Sequence, residues 1–367
     1  MKKIPFIKYT LHGNNFVIVD EVREPILAES EKPGFAYCAT DMCYGIGSDN
    51  MLVVQPFRPE TLKEINSVCH YWDRVPDLAD ADYIFRMFEP GGEEAFSCGN
   101  GLMCIANYLY RQYNVESAKI ITEIPTSCPK VITIGTNLKK KTNWANMGHP
   151  RRISPDMAKP SVTTPYDREI DKINSIKVNF RRNNGFGFIN GTSSLTLSGY
   201  LVFTGEPHFV IFTNNGFSAE KLLNKMFLPV SCEKPTMRRP SKNGTDTGSQ
   251  LVHYIGTYFK KEYAQHFPAG LNIDFVNIID DSGILEYRCF ERGINHETLA
   301  CGTGAVAASF VARRLNMLTS DQITVWPYRS RCHNPDAKIY VRECVNDWLL
   351  YGKPVLLCEG TFMFDEG

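Results

Sequence analysis

The chain has no excess charge of either sign and no apolar stretch long enough to span a membrane. Its 40 basic and 40 acidic side chains give a formal net charge of zero. Such a balance offers no electrostatic reason to expect binding to nucleic acid or to an anionic membrane. Since no run of about eighteen apolar residues occurs either, we expect neither nucleic acid nor membrane among its partners.

Paired cysteine motifs are also missing. The 12 cysteines are scattered and form no Cys-x-x-Cys pair, which argues against a structural zinc site, and we expect no metal. The first six residues, MKKIPF, are basic but lack the continuous apolar segment of a signal peptide. The corresponding expectation is a cytoplasmic location in which most cysteines are reduced and buried as small apolar side chains.

One short pattern is present twice. Cys-Gly-Asn-Gly begins at Cys98 and Cys-Gly-Thr-Gly begins at Cys301, and each precedes a stretch with the apolar periodicity of an amphipathic helix. An Arg-x-Phe-Glu segment stands shortly before each pattern, beginning at Arg86 and at Arg288. A length of 367 residues favours two domains. The repeat therefore predicts that each domain carries a strand, an acidic corner, a cysteine, a glycine turn and a helix.

A cysteine at the start of a helix has a particular chemistry. The first amide groups of a helix lack intrahelical partners, and the helix dipole makes that end positive. Glycines let the backbone approach a ligand closely, so the end suits a carboxylate or phosphate. We expect the pKa of a thiol placed there to be lowered towards neutrality. Two such thiols on opposite sides of one carbon could remove a proton from one face and deliver another to the opposite face, which inverts a stereocentre.

Two plainer interpretations of the repeat are available. Both cysteines could be buried structural residues. The residues Gly302, Gly304 and Ala307 also match a loose dinucleotide-binding fingerprint. A dinucleotide-binding fingerprint normally follows an apolar, buried strand, but residues 288–297 are largely polar. This difference argues against a nucleotide site. The repetition of cysteine at the same place favours acid–base chemistry.

Seven ordered segments resemble the diaminopimelate epimerase family, whose members invert amino acids with two cysteines and without pyridoxal phosphate. The segments are residues 8–20 (KYTLHGNNFVIVD), 47–54 (GSDNMLVV), 83–108 around Cys98, 146–150 (NMGHP), 205–211 (GEPHFVI), 267–276 (FPAGLNIDFV) and 291–308 (ERGINHETLACGTGAVAA). The resemblance implies an α+β fold of two pseudo-symmetric lobes, each a mixed β-sheet wrapped around a central helix. It further implies an isomerase without a cofactor, acting on a small-molecule amino acid in lysine biosynthesis.

The resemblance also implies a set of site residues. Cys98 and Cys301 would be the catalytic acid–base pair. His208 and Glu291 would tune the protonation of one cysteine each, although a lone histidine after Gly-x-Pro is more often structural. The implied substrate-binding residues are Asn14, Asn50, Glu89, Gly99, Asn100, Glu206, Asn272, Arg292, Gly302 and Thr303. For Asn14 a turn role is the alternative.

The sequence departs from the family where the far end of the substrate would bind. Glu89 and Glu206 stand where the family has asparagines, while Asn272 and Arg292 are retained. Two carboxylates would repel a distal carboxylate and would suit a distal cation. The alternative is that both glutamates point away from the site or pair with Arg292 and nearby bases. Smaller departures are Asn50 for the usual glutamine and Thr303 for serine.

The predicted function is amino-acid epimerisation by Cys98 and Cys301, most simply that of diaminopimelate epimerase, LL to meso. One alternative is racemisation of lysine, ornithine, arginine or histidine on the same scaffold. Others are a non-catalytic amino-acid-binding relative, which would be expected to have lost one cysteine, and a proline-racemase-like isomerase. Retention of Glu291, Arg292 and the Gly-x-Pro-His segment favours the epimerase branch. Whether the protein forms a homodimer is left open by the sequence.

The predicted domains are residues 1–136 with the return strand 355–367, and residues 137–354. A lysine-rich stretch marks the boundary between them. We expect residues 58–82 to form a surface insertion, and residues 214–266 to be longer than the family's connection. Two turn-rich segments are predicted inside the second domain, at residues 183–192 and 234–250.

Overall fold

The computed structural model separates into two compact units. It describes residues 1–78, 80–180, 194–213, 226–227, 247–281, 283–345 and 347–365. The first unit spans Met1–Gly148 together with Arg342–Gly367, and the second spans His149–Val341. Among the described residues, no helix is both long and apolar enough to cross a membrane.

The first unit is a mixed sheet around one buried helix. Numbered along the whole chain, its strands are β1 (Lys2–Leu11), β2 (Asn14–Asp20), β3 (Asn50–Pro56), β4 (Tyr83–Phe88), β5 (Glu94–Ala95), β6 (Ser117–Thr122), β7 (Lys130–Asn137), β8 (Thr142–Asn146), β18 (Asp347–Gly352) and β19 (Val355–Phe364). Its helices are α1 (Glu31–Thr40), α2 (Pro59–Cys69) and α3 (Gly99–Tyr113).

In space the strands of this unit run β19-β1-β2-β3-β4-β6-β7-β8-β18, and β5 adds to β4. The pairs β2–β3 and β4–β6 are parallel, and the other pairs are antiparallel. Helix α3 contacts β1, β7, β8 and β18, so strands from both ends of the order pack on it. The sheet therefore wraps around α3, whose residues 102–105 are fully buried.

The second unit repeats this design. Its strands are β9 (Thr164–Pro165), β10 (Asp171–Asn179), β11 (Ser194–Phe203), β12 (Pro207–Phe212), β13 (Asn272–Asp280), β14 (Ile284–Glu291), β15 (His296–Glu297) and β16 (Gln322–Pro327). Strand β17 (Ile339–Cys344) crosses the unit boundary, and a 3-10 turn covers Pro160–Val162. The helices are α4 (Thr247–Glu262), α5 (Gly302–Arg314) and α6 (Tyr328–Arg331).

The strand order of the second unit is β9-β10-β11-β12-β13-β14-β16, with β15 on β14. The pairs β12–β13 and β14–β16 are parallel. The run β11-β12-β13-β14-β16 therefore matches β1-β2-β3-β4-β6 of the first unit in direction and connection. Helix α5 contacts all five strands of its run and is the counterpart of α3. The predicted fold class, an α+β protein with two similar sheet-around-helix lobes, is confirmed.

The observed unit boundaries differ from the expected ones. The lysine-rich stretch forms only the turn between β7 and β8, and β8 then pairs with both β7 and β18. These pairings keep β8 and β18 in the first unit and move the boundaries to residues 148 and 342. Lysines mark a solvated turn equally well inside a domain and between domains, so composition alone could not separate the two cases.

The expected surface insertion at residues 58–82 contains a packed helix. Helix α2 begins at Pro59, whose ring suits a first helical turn, and ends at His70 in the left-handed region with φ 53°. Leu62 and Ile65 are buried, and Trp72 donates a hydrogen bond from Nε1 to the carbonyl of Thr126 at 2.8 Å. This segment thus adds a small second core to the unit. The turn predicted at residues 183–192 and most of the stretch 234–250 lie outside the described residues.

Two helix glycines yield opposite expectations for stability. A methyl group at Gly256 of α4 would overlap the ring of Phe290, whereas at Gly34 of α1 its nearest neighbour would be Phe364 at 4.0 Å. We expect Gly256→Ala to lower the free energy of unfolding by about 1–3 kcal/mol through overpacking. Gly34→Ala is the matched control and should raise it by about 0.5–1 kcal/mol, because glycine loses more backbone entropy in a helix. Urea denaturation of both variants measures the difference, and equal effects would contradict this packing of α4.

Candidate active site

Each repeated cysteine is the residue that caps the start of its unit's central helix. Cys98 has extended backbone (φ −146°), and its Sγ accepts a hydrogen bond from the amide of Gly101 at 3.3 Å. Cys301 is likewise extended (φ −113°), and its Sγ accepts from the amide of Gly304 at 3.4 Å. Both sulfurs therefore lie against amide groups at the positive end of a helix, as the repeat predicted.

A buried ion pair holds the chain just before each cysteine. Arg86 on β4 binds Glu94 on β5 through two hydrogen bonds, Nε to Oε1 at 2.8 Å and Nη2 to Oε2 at 2.6 Å. Arg288 on β14 binds Glu297 on β15 in the same way, at 2.5 and 2.9 Å. Both arginines are 1% exposed. Losing one partner of such a buried pair costs about 3–5 kcal/mol, so these pairs fix the corner from which each helix starts.

Sequence reasoning singled out Arg86 and Arg288 but not their glutamate partners. A signal for them was present, because Glu94 and Glu297 stand at the same distance before their cysteines. When a glutamate follows an arginine at a similar spacing in both copies of a repeat, the two residues are candidates for an ion pair. The pairing itself required the strand register, in which β5 and β15 fold back on the arginine strands.

In the first unit, Asn14 lies beside the start of α3. Its Oδ1 accepts a hydrogen bond from Nδ2 of Asn100 at 3.3 Å, and its own Nδ2 donates to Asp49 at 2.9 Å. Asn14 is the first residue of β2, so it is not merely a turn residue. Gly99 and Asn100 form the buried first turn of α3, where their amides lack intrahelical acceptors.

The structure also joins two further predicted residues of this unit. Asn50 Nδ2 donates to Glu89 Oε2 at 2.9 Å. The carboxylate of Glu89 thus contacts an amide that the family resemblance placed in the site.

In the second unit, a chain of hydrogen bonds leads from a buried carboxylate to Cys301. Asp274 Oδ2 lies 2.6 Å from His208 Nδ1, His208 Nε2 lies 2.9 Å from Thr303 Oγ1, and Thr303 Oγ1 lies 3.3 Å from Cys301 Sγ. His208 and Asp274 are fully buried. Thr303 therefore connects the histidine to the thiol and is more than a helix-capping residue.

The partners of His208 indicate which nitrogen carries its proton. An ionised Asp274 can only accept, so Nδ1 donates to it. On the other side, Nδ2 of Asn272 lies 3.4 Å from Nε2, and an amide nitrogen can only donate. An imidazole that donates from Nδ1 and accepts at Nε2 fits both contacts. Asp274 escaped sequence analysis, although it follows Asn272 at the spacing that places two residues on one strand face.

Glu291 and a second thiol also surround Cys301. The sulfurs of Cys301 and Cys289 and one carboxylate oxygen of Glu291 lie within 4.8 Å of one another. Within this unit Glu291 lies beside Cys301, and the Thr303 hydroxyl extends the hydrogen bonding of His208 to the same sulfur. The assignment of His208 and Glu291 to different cysteines, which the family resemblance implies, stays a prediction. Cys289 was not predicted, although it shares a strand face with Glu291.

These neighbours reverse the expected protonation of Cys301. A hydrogen bond from Cys289 works to lower the pKa of the Cys301 thiol, but burial and the negative charges of Glu291 and Asp274 outweigh it. The net result is a raised pKa, where the helix terminus alone predicted a lowered one. Burial is also the main reason why the pKa of Cys289 lies well above its usual range. In this state the structure favours the thiol form of Cys301.

The last predicted pair is Glu206 and Arg292. Arg292 Nε donates to Glu206 Oε2 at 2.6 Å, and its Nη1 donates to the carbonyl of Ala269 at 3.1 Å. Asn272 Oδ1 accepts from the Arg292 amide at 2.9 Å. The pairing anticipated as an alternative therefore holds for Glu206, while Glu89 bonds to Asn50. Tyr287, unpredicted, fixes the backbone of Cys301 through hydrogen bonds at 2.6 and 2.8 Å.

Comparison with known proteins agrees with this geometry. No protein-family model matches the chain. The diaminopimelate epimerase of Methanothrix thermoacetophila is 28% identical over 325 residues, covering 87% of this chain and 84% of that protein. The Archaeoglobus fulgidus enzyme of the same name is 26% identical over 328 residues, covering 88% and 86%. Among solved structures, a hydroxyproline epimerase from Agrobacterium vitis superposes with a TM-score of 0.58 at 9% identity, over 100% of this chain and 94% of that one.

The solved structures show that the chain has the two-lobed, sheet-around-helix fold. Its sequence relatives are named epimerases, which makes the chain an isomerase. The chain is homologous over most of its length to the diaminopimelate epimerases.

The raised pKa of Cys301 leads to a test by chemical modification. Because thiolates rather than thiols react with iodoacetamide, alkylation of Cys301 should reach half its maximal rate at a pH above the usual thiol range. Glu291→Gln removes a negative charge that raises this pKa, so it should move the midpoint to lower pH. Glu169→Gln removes a carboxylate that instead pairs with Arg314 and should leave the midpoint in place. Quantitative peptide mass spectrometry follows the reaction, and an unshifted Glu291→Gln profile would contradict the assignment.

Proposed function

We propose that the protein is a cofactor-independent amino-acid epimerase that inverts an α-carbon with Cys98 and Cys301, most simply a diaminopimelate epimerase converting the LL form to the meso form. The observation that carries the proposal is the repeated helix start, at which each sulfur accepts a backbone amide hydrogen bond. Inversion needs a base on one face of the carbon and an acid on the other. The repeat offers two thiols for these two roles.

The roles follow from the surroundings of Cys301. With a raised pKa, Cys301 enters the reaction as the thiol and delivers a proton, while the thiolate of Cys98 removes the substrate's α-proton. In the reverse direction the roles exchange. The first-turn amides of Gly99, Asn100, Gly302 and Thr303 are donors for the α-carboxylate, where charge develops as the proton leaves. Once the product leaves, Cys98 releases the proton it accepted and Cys301 takes one up by exchange with solvent, which restores the starting state.

Removing either thiol tests the two-base mechanism. Cys98→Ala and Cys301→Ala should each abolish racemisation, because either variant retains only one of the two proton-transfer groups. Loss of a positioned acid or base typically costs about 10²–10⁴-fold in rate. The measurement is chiral chromatography together with α-hydrogen exchange in deuterated solvent, across a panel of L-amino acids.

Cys128→Ser is the matched control, since Cys128 is an exposed free cysteine outside the proposed machinery; it should retain wild-type turnover. Inversion at a near wild-type rate by either alanine variant would rule out the two-base mechanism. Ligand binding by the wild-type protein without exchange at any α-carbon would instead favour a non-catalytic amino-acid-binding relative.

One observation favours a second substrate class. Arg292, which would bind a distal carboxylate, is already paired with Glu206 at 2.6 Å. Glu89 accepts a hydrogen bond from Asn50. A distal carboxylate would therefore meet two glutamates and an arginine that is already engaged, an arrangement that suits a distal cation better. We therefore keep racemisation of lysine, ornithine, arginine or histidine as the alternative function.

Exchanging both glutamates separates the two substrate classes. If Glu89 and Glu206 select a distal cation, the Glu89→Asn, Glu206→Asn double variant should shift kcat/KM towards diaminopimelate by about tenfold or more, which corresponds to about 1.4 kcal/mol. Circular dichroism or chiral chromatography with each amino acid gives the ratio. The Glu60→Gln, Glu64→Gln double variant, which removes two exposed negative charges from α2, is the charge-matched control. Efficient diaminopimelate turnover by the unmodified protein, without turnover of basic amino acids, would establish the simpler function.

A further inference from the structure

Three side chains that are able to bind a metal, two from β14 and one from the start of α5, lie close together. Cys289 and Glu291 lie on β14, two residues apart and therefore on one strand face. Cys301 caps α5. One ligand atom from each lies within 4.8 Å of the other two. The two cysteines are 2% and 5% exposed, while Glu291 is partly exposed and provides a way in from solvent.

We propose that Cys289, Glu291 and Cys301 form a binding site for a thiophilic divalent cation such as Zn²⁺, and that the bound cation inhibits the protein by occupying the Cys301 sulfur. Binding of the metal is independent of the proposed function. Its inhibitory effect rests on that function, because it assumes that Cys301 transfers protons. As each metal–sulfur bond forms, the thiol releases its proton to solvent.

The spacing of the three atoms suits zinc. With Zn–S bonds of about 2.3 Å and Zn–O bonds of about 2.0–2.2 Å in a tetrahedron, neighbouring ligand atoms lie roughly 3.3–3.8 Å apart. Ligand atoms already within 4.8 Å need to move together by only about 1 Å. Three protein ligands leave the fourth tetrahedral position open for water. Two thiolates and one carboxylate form a ligand set that favours zinc over magnesium or calcium.

The electrostatic surroundings also favour a cation. Glu291 and Asp274 both place negative charge near the Cys301 sulfur. The nearest arginine on the same strand, Arg288, does not cancel this charge because it is engaged in the bidentate pair with Glu297. The amide of Gly304 donates to the sulfur and stabilises a thiolate there. A divalent cation bound at this sulfur would therefore neutralise part of the negative charge of Glu291 and Asp274.

A neighbouring side chain orients the carboxylate ligand. The hydroxyl of Thr298 donates a hydrogen bond to Oε1 of Glu291. Hydrogen bonds of this kind fix the orientation of metal ligands, and their loss typically weakens binding about 10–100-fold.

Cobalt titration of the full chain tests the site without an activity assay. Co²⁺ is added anaerobically to protein kept reduced by a phosphine, and thiolate-to-cobalt charge-transfer absorption is recorded. We expect a band that saturates at one Co²⁺ per chain and is abolished by one equivalent of Zn²⁺. Cys289→Val, which preserves side-chain volume, should weaken binding by about tenfold or more. Cys128→Ser, an exposed cysteine outside the site, should bind as the wild type does.

A second readout uses the unmodified protein and covers the case in which Cys289→Val fails to fold. Zn²⁺ should protect Cys289 and Cys301 together from alkylation, as measured by peptide mass spectrometry. Absence of the cobalt band, an unchanged band in folded Cys289→Val, or protection of Cys301 without Cys289 would each overturn the proposal. A cobalt band in a protein that exchanges no α-hydrogen would sustain the metal site while the proposed function fails.

Discussion

The buried bidentate pair between an arginine and a glutamate is the interaction on which both candidate site halves depend. Arg86 with Glu94, and Arg288 with Glu297, each tie a short returning strand to the strand before it. The chain leaves that strand in extended conformation and enters the helix at the cysteine. Removing one partner would leave a buried charge with fewer counter-charges, although Arg86 also pairs with Glu29 and Glu297 also lies near Arg329. These pairs therefore help to hold the corner from which each helix starts.

Around Cys301 two opposing influences act on one sulfur. The helix start and the Cys289 thiol favour the thiolate, whereas burial and two carboxylates favour the thiol, and the second group prevails. A carboxylic acid or an amine could not fill this position as well, since a thiol is small and tolerates an apolar site. The hydrogen-bonded path through Thr303 and His208 gives the buried sulfur a connection to Asp274 without exposure to bulk water. Because Cys289 and Glu291 lie close to this sulfur, the three side chains together suit a soft divalent cation.

Fold and specificity separate clearly in this molecule. A hydroxyproline epimerase shares this architecture at 9% sequence identity, so the architecture alone does not choose a substrate. Under the proposed function, selectivity depends instead on a few charges. Glu206 pairs with Arg292, and Glu89 accepts a hydrogen bond from Asn50, at positions where the family resemblance places asparagines. We expect these carboxylates to influence which distal group binds without changing the chemistry at the α-carbon.

The sequence by itself determined the two-fold repeat and the cysteines at the helix starts, because glycine turns, apolar periodicity and helix capping act over a few residues. The sheet-around-helix class was implied by the resemblance of seven ordered segments to the diaminopimelate epimerase family. Tertiary structure decided what depends on contacts distant along the chain. The lysine-rich turn lies inside the first unit because β8 pairs with β18, and α2 packs a core that its charged sequence concealed. The raised pKa of Cys301 likewise comes from groups on β13 and β14. Burial and through-space charge set that value, and neither can be known until the strands that carry Asp274, Cys289 and Glu291 are placed beside the helix.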